Sequence, residues 1–174
     1  MLTFLKKLFH LPQTSKKERI VSGLVATGMI FGAGWLGANT TQSHLSEYAT
    51  WIRPELTPPN YVFSFVWTLL FIGIIFAGYQ NWNHFEKKMY RNGFAALYLL
   101  NAVLICTWSA LFFGQGMMAS ALFTIFGLIL VAELMILISF KNNRKAGYAL
   151  LPYLLWLIFA AYLNTGFLVL NATV

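Results

Sequence analysis

The sequence predicts an all-α membrane protein, a bundle of five transmembrane helices, on three observations. Of its 174 residues, 59% are hydrophobic, 17% aromatic and only 10% charged. Soluble domains carry about a quarter charged residues, so this composition lies outside their class. Five apolar stretches, 20–38, 61–82, 93–113, 118–140 and 146–170, each approach the roughly 20 residues that a bilayer-crossing helix requires. The basic residues alternate between the segments that join them. High hydrophobicity excludes disorder, and a single cysteine, Cys106, excludes a disulfide-stapled scaffold. Cys106 itself reads as a small buried apolar residue.

Helix is the default for each stretch, because a spanning segment must satisfy its own backbone hydrogen bonds. The chain divides into a basic amphipathic N-terminal segment, 1–19, and a membrane domain, 20–174, with no room for a separate soluble domain. Lys6, Lys7, Lys16, Lys17 and Arg19 precede the first span. Lys87, Lys88 and Arg91 lie between the second and third, and Lys141, Arg144 and Lys145 between the fourth and fifth. With five spans these eleven share one side, and Arg53 alone faces the other. The net charge of +7 is therefore topological in origin. The positive-inside rule makes the N-terminus cytoplasmic and the C-terminus external, in what is expected to be a bacterial cytoplasmic membrane. Ahead of the first span, Leu5, Leu8 and Phe9 beside Lys6 and Lys7 suit the lipid interface.

The first span is retained in this reading. A cut after Ala38 would place Leu36, not a small residue, three positions before the scissile bond. Its Gly28/Gly32 and Ala33/Gly37 spacings let a neighbouring helix approach closely. The following loop, Arg53-Pro54-Glu55-Leu56-Thr57-Pro58-Pro59, is stiffened by its prolines and reads either as a lid over the bundle mouth or as an inert connection. On the second span Asn60, Phe63, Trp67 and Phe71 share one helical face. On the third Leu97, Asn101, Ile105, Trp108 and Phe112 do the same. The fourth carries the one intramembrane carboxylate, Glu133, a candidate for a proton- or ion-coupled transporter or for a snorkelling structural group. On the fifth, Tyr153, Trp156, Ala160 and Asn164 form a third stripe after Pro152. Amides buried in a membrane need partners, so these three faces are expected to point inward. Tryptophans well inside their spans are not interfacial belt residues. The spacing leaves two readings, a pocket for a flat aromatic ligand or a tryptophan-rich core.

Hydrolytic and metal chemistry find no support. His10, His44 and His84 fall in three separate polar segments without metal-ligand spacing, aspartate is absent, and no phosphate loop occurs. No cofactor, metal or nucleic acid is implied.

The order of these pieces resembles the translocator protein family, also called tryptophan-rich sensory proteins or peripheral benzodiazepine receptors. Arg53-Pro54…Pro58-Pro59 is similar to the family's loop signature, and Tyr61-Val62-Phe63…Trp67 to the stretch after it. Trp108…Phe112-Phe113-Gly114, then Met118-Ala119…Ala121-Leu122, resembles its third span. Pro152-Tyr153…Trp156…Leu163-Asn164, with Asn171, resembles its fifth. The resemblance covers residues 20–171. It departs at Glu47, where Trp is usual before Tyr48, at Leu56, where Trp is usual, and at Ile105 and Ala110, where Asn and Pro are usual. No Lys or Arg follows Tyr162, so the mammalian cholesterol motif is missing and steroid transport is not carried over.

The resemblance implies a five-helix bundle, often a homodimer, with a cavity beneath the first loop that binds protoporphyrin IX and drug-like aromatics. Position by position, Tyr48, Trp67, Phe71, Trp108, Trp156 and Ala160 are expected to line it. Arg53, Pro58, Phe63, Phe112 and Asn164 complete the expected binding set from the loop and the aromatic faces, with Arg53 near a porphyrin propionate. Some bacterial members promote light-driven porphyrin breakdown, which the resemblance would assign to Trp67 and Trp156. The sequence-level function is thus a receptor or carrier for porphyrins, with photodegradation or Glu133-coupled transport as alternatives.

Overall fold

The computed structural model describes residues 14–171. Its elements are α1 (Lys16–Ser43), the short α2 (Leu45–Tyr48), α3 (Asn60–His84), α4 (Lys88–Ser109), α5 (Met118–Asn142) and α6 (Arg144–Asn171). A π-helical turn, Ala110–Gly114, continues α4. Five of these helices are long and apolar enough to cross a membrane.

Each long helix extends past its apolar stretch. α1 begins at Lys16 rather than at residue 20 and α4 at Lys88 rather than 93, because hydropathy marks only the part facing hydrocarbon while the helix continues into the polar boundary. A capping box explains where α1 starts. Ser15 Oγ accepts the Glu18 N–H at 3.2 Å, and the Glu18 carboxylate accepts the Ser15 N–H at 2.7 Å. Lys16, Lys17 and Arg19 therefore lie in the first turn of the first span. The amphipathic stretch around Leu5, Leu8 and Phe9 falls outside the described residues.

Contacts between elements run α1–α3–α6–α5–α4 and back to α1, closing a ring. Each long helix turns one stripe inward: Ile30, Ile74, Asn101, Ile125, Met135, Leu150 and Leu157 are all at most 1% exposed. Lipid is as apolar as leucine, so close packing and interhelical hydrogen bonds hold such bundles. Near the basic end the Asn81 amide donates to Ser139 Oγ at 2.7 Å, Asn142 to Asn81 at 3.3 Å, and the Tyr98 hydroxyl to the Ala26 carbonyl at 3.1 Å. The two small-residue pairs of α1 have different fates. Ala33 and Gly37 are buried, Gly37 lying against Ser109 of α4, whereas Gly28 and Gly32 are exposed with open space beside them.

Candidate functional site

The inward faces of α3, α4 and α6 supply a central aromatic assembly, with a second ring group on the α3–α6 seam. Trp67 of α3 meets Trp108 of α4 with ring centroids 6.3 Å apart, and also touches Phe71 at 5.4 Å and Tyr153 of α6 at 6.3 Å. Trp108 stacks on Phe112 at 5.5 Å. Trp156 does not sit centrally. It lies at the edge of the buried stripe of α6, half-buried, edge-on to Phe63 of α3 at 5.5 Å and against Phe159 at 5.4 Å. Two of the three expected indoles thus touch, whereas the third pairs with Phe63 of α3 and Phe159 of its own helix on the α3–α6 seam. Ala160 is buried at 7% exposure one turn beyond Trp156.

Amides secure this interior. The Trp108 indole N–H donates to Asn164 Oδ1 at 3.3 Å, and the Asn164 amide donates to the Met118 carbonyl at 2.8 Å, so Asn164 ties α4, α5 and α6 together. The Tyr153 hydroxyl donates to Asn101 Oδ1 at 2.8 Å. Two buried donors, Trp156 Nε1 and Asn101 Nδ2, have no hydrogen-bond partner among the described residues. Unpaired buried donors are uncommon, and each is a place where a ligand acceptor would be stabilised.

The loop between α1 and α3 caps this end of the bundle. Tyr48, 5% exposed, packs edge-on to Trp51 and Phe113 at 5.5 and 5.4 Å and lies 5.6 Å from Phe167 of α6. The Arg53 guanidinium sits 5.0 Å over the Tyr48 ring, a cation–π contact. Burial pushes the Tyr48 phenol above its ordinary pKa, and the positive Arg53 partly offsets this. Pro54 is buried against Gly166, where an added Cβ would stand 2.6 Å from the proline ring. The Asn171 side chain clamps Ile52 at both backbone groups, accepting its N–H at 2.9 Å and donating to its carbonyl at 3.0 Å. Leu56, at φ +66°, takes the left-handed conformation in the turn closed by the Thr57 N–H on the Pro54 carbonyl. Pro58 is half-buried, and the Pro59 carbonyl accepts the first backbone bonds of α3.

Three members of the assembly were missing from the expected set. Trp51 lies in irregular chain, where no periodicity could flag it, yet it touches Tyr48, Phe112 and Phe167. Phe113 follows Phe112 directly, and an α-helix would rotate the two about 100° apart. The widened π turn brings both rings into one cluster, with centroids 4.9 Å apart. Phe167 continues the α6 stripe three residues past Asn164, so its spacing was a usable signal.

Glu133 stands apart. It is exposed on the outer face of α5 beside Leu130, Leu134 and Leu137, while Val131, Ala132 and Met135 form the buried stripe. An inward coupling role for Glu133 does not fit this position, one residue's rotation off the interior.

These features define an integral membrane protein: five spanning helices around an aromatic, amide-braced interior beneath a docked loop. The chain belongs to the TspO/MBR family, whose model matches residues 26–170. It is 32% identical over 155 residues to the tryptophan-rich protein TspO of Chlorobaculum tepidum, covering 88% of this chain and 98% of that one. Identity to the protein of the same name from Archaeoglobus fulgidus is 33% over 160 residues, 88% and 97% of the two chains. The translocator protein of Bos taurus is 29% identical over 135 residues, 75% and 79% of the two.

Proposed function

We propose that the protein binds porphyrins of the protoporphyrin IX type, and other flat aromatic molecules, among Trp67, Trp108 and Trp156 beneath the first loop. The carrying observation is the meeting of Trp67 and Trp108 from separate helices at 6.3 Å, flanked by the Phe63–Trp156 pair. Offset and edge-on ring contacts favour a planar π-system, each worth about 0.5–1.5 kcal/mol beyond burial. The unpaired Trp156 indole N–H offers a donor to such a ligand, and Arg53 at the loop surface offers a cation to an acidic substituent. Because the rings touch one another, a ligand enters by parting them, with the half-buried Trp67, Phe71 and Trp156 giving way.

Tryptophan fluorescence titration of the detergent-purified protein with protoporphyrin IX tests this. Trp67→Ala and Trp156→Ala are each expected to weaken binding about three- to tenfold. Leu130→Ala and Glu133→Gln, on the outer face of α5, should bind as the unaltered chain does. Equal affinity in all four variants would overturn the proposal.

A further inference from the structure

A trough runs down the outside of the bundle between α1 and α3, and none of Trp67, Trp108 and Trp156 lines it. Its lower part, of about 420 Å³, is lined by Lys16, Arg19, Gly23 and Tyr79 among others. Its upper part, of about 390 Å³, is lined by Gly23, Phe31, Phe76 and Tyr79 with further apolar side chains. Gly23 and Tyr79 border both, so the two parts are continuous. The missing side chain at Gly23 keeps the passage open, since a Cβ there would already stand 3.5 Å from the Tyr79 ring. One end of the trough is therefore cationic and the rest is apolar.

We propose that this trough is a binding site for one anionic diacyl phospholipid, with its headgroup phosphate on Lys16 and Arg19 and an acyl chain laid along Gly23, Tyr79, Phe76 and Phe31. The dimensions agree. From Ile20 to Phe31 the helix rises about 16 Å, close to half of the ~30 Å hydrocarbon core and thus to one leaflet. The Glu18 carboxylate, beside Arg19 in sequence, does not oppose the phosphate freely, because it is turned back into the capping box on the Ser15 N–H. Arg19 Nε makes only a 3.3 Å contact with Thr14, which a phosphate would outcompete. Acyl chains gain little by leaving other lipid for an apolar groove, so the selectivity resides in the two cations. The basic cluster at Lys141 and Arg144 borders neither part of the trough, which makes it the matched control.

The test is native mass spectrometry of the delipidated full chain, offered equimolar phosphatidylglycerol and phosphatidylcholine with identical acyl chains. The unaltered protein is expected to retain the anionic lipid about thirtyfold in preference, as two interfacial cations imply. Lys16→Gln with Arg19→Gln should abolish that preference, and Gly23→Leu should displace the lipid by filling the passage with the charges intact. Lys141→Gln with Arg144→Gln should leave the preference unchanged. All the altered positions except Gly23 are exposed, and circular dichroism melting confirms that each variant is folded. No preference in the unaltered protein, its survival in the Lys16/Arg19 variant, or its equal loss in the control pair overturns the proposal. Displacement by glycerol phosphate alone, showing a site for phosphate without acyl chains, overturns it too.

Discussion

Asn164 shows how much one side chain can organise in an apolar medium. Its carbonyl oxygen holds the Trp108 indole and its amide nitrogen holds the Met118 carbonyl, at 1% exposure. Replacing it by a leucine of similar volume leaves a buried indole N–H and a carbonyl unpaired. Asn164→Leu is expected to cost about 1–2 kcal/mol of stability, read as a lowered melting temperature in detergent. In the Trp108→Phe background the same change should cost less, because the indole donor is already gone; an undiminished cost would show that the bond contributes nothing. At this scale Trp67, Trp108 and Asn164 were legible in the sequence from their helical spacing. The edge position of Trp156 was not, because spacing assigns a face only to within a residue's rotation. Glu133 shows the same limit: one position along from Ala132, it turns from the buried stripe to the outer surface.

Among the elements, the loop between α1 and α3 departs most from what patterning could foresee. Its prolines announced stiffness, but not where it docks. Docking depends on Pro54 fitting against Gly166 and on Asn171 gripping Ile52, contacts between positions more than a hundred residues apart in sequence. Gly166→Ala places a methyl where the proline ring now lies, and Asn171→Ala removes both backbone bonds to Ile52. Each variant is expected to raise hydrogen exchange across residues 49–59 several-fold, while exchange in α5 stays as it was. Unchanged loop protection in both would mean that the aromatic contacts of Tyr48 and Trp51 suffice to hold it. The π turn after Ser109 was equally invisible. It forms with Ala110 at its start, so no proline is needed to widen α4 at that point.

For the whole molecule, the five-helix count followed from composition and from the distribution of lysine and arginine, and the closed ring bears it out. What hydropathy could not give is the order of helices around that ring, which depends on which buried side chains interlock. Lys16, Lys87 and Arg144, each at or beside the start of α1, α4 and α6, lie toward one end of the bundle, while Arg53 and Asn171 lie toward the other. An odd number of spans puts the two chain ends on opposite sides. Single-cysteine variants in a Cys106→Ala background should show this directly in cells. Lys17→Cys is expected to resist a membrane-impermeant maleimide and Glu55→Cys to react; labelling of both from outside would contradict the orientation expected from the basic residues.

The grip of Asn171 on Ile52 has a practical corollary. The final turn of α6 is one of the points that fasten the docked loop, so a purification tag or reporter fused just past that residue would strain the clamp on Ile52. Tags placed at the other end of the chain leave that clamp undisturbed.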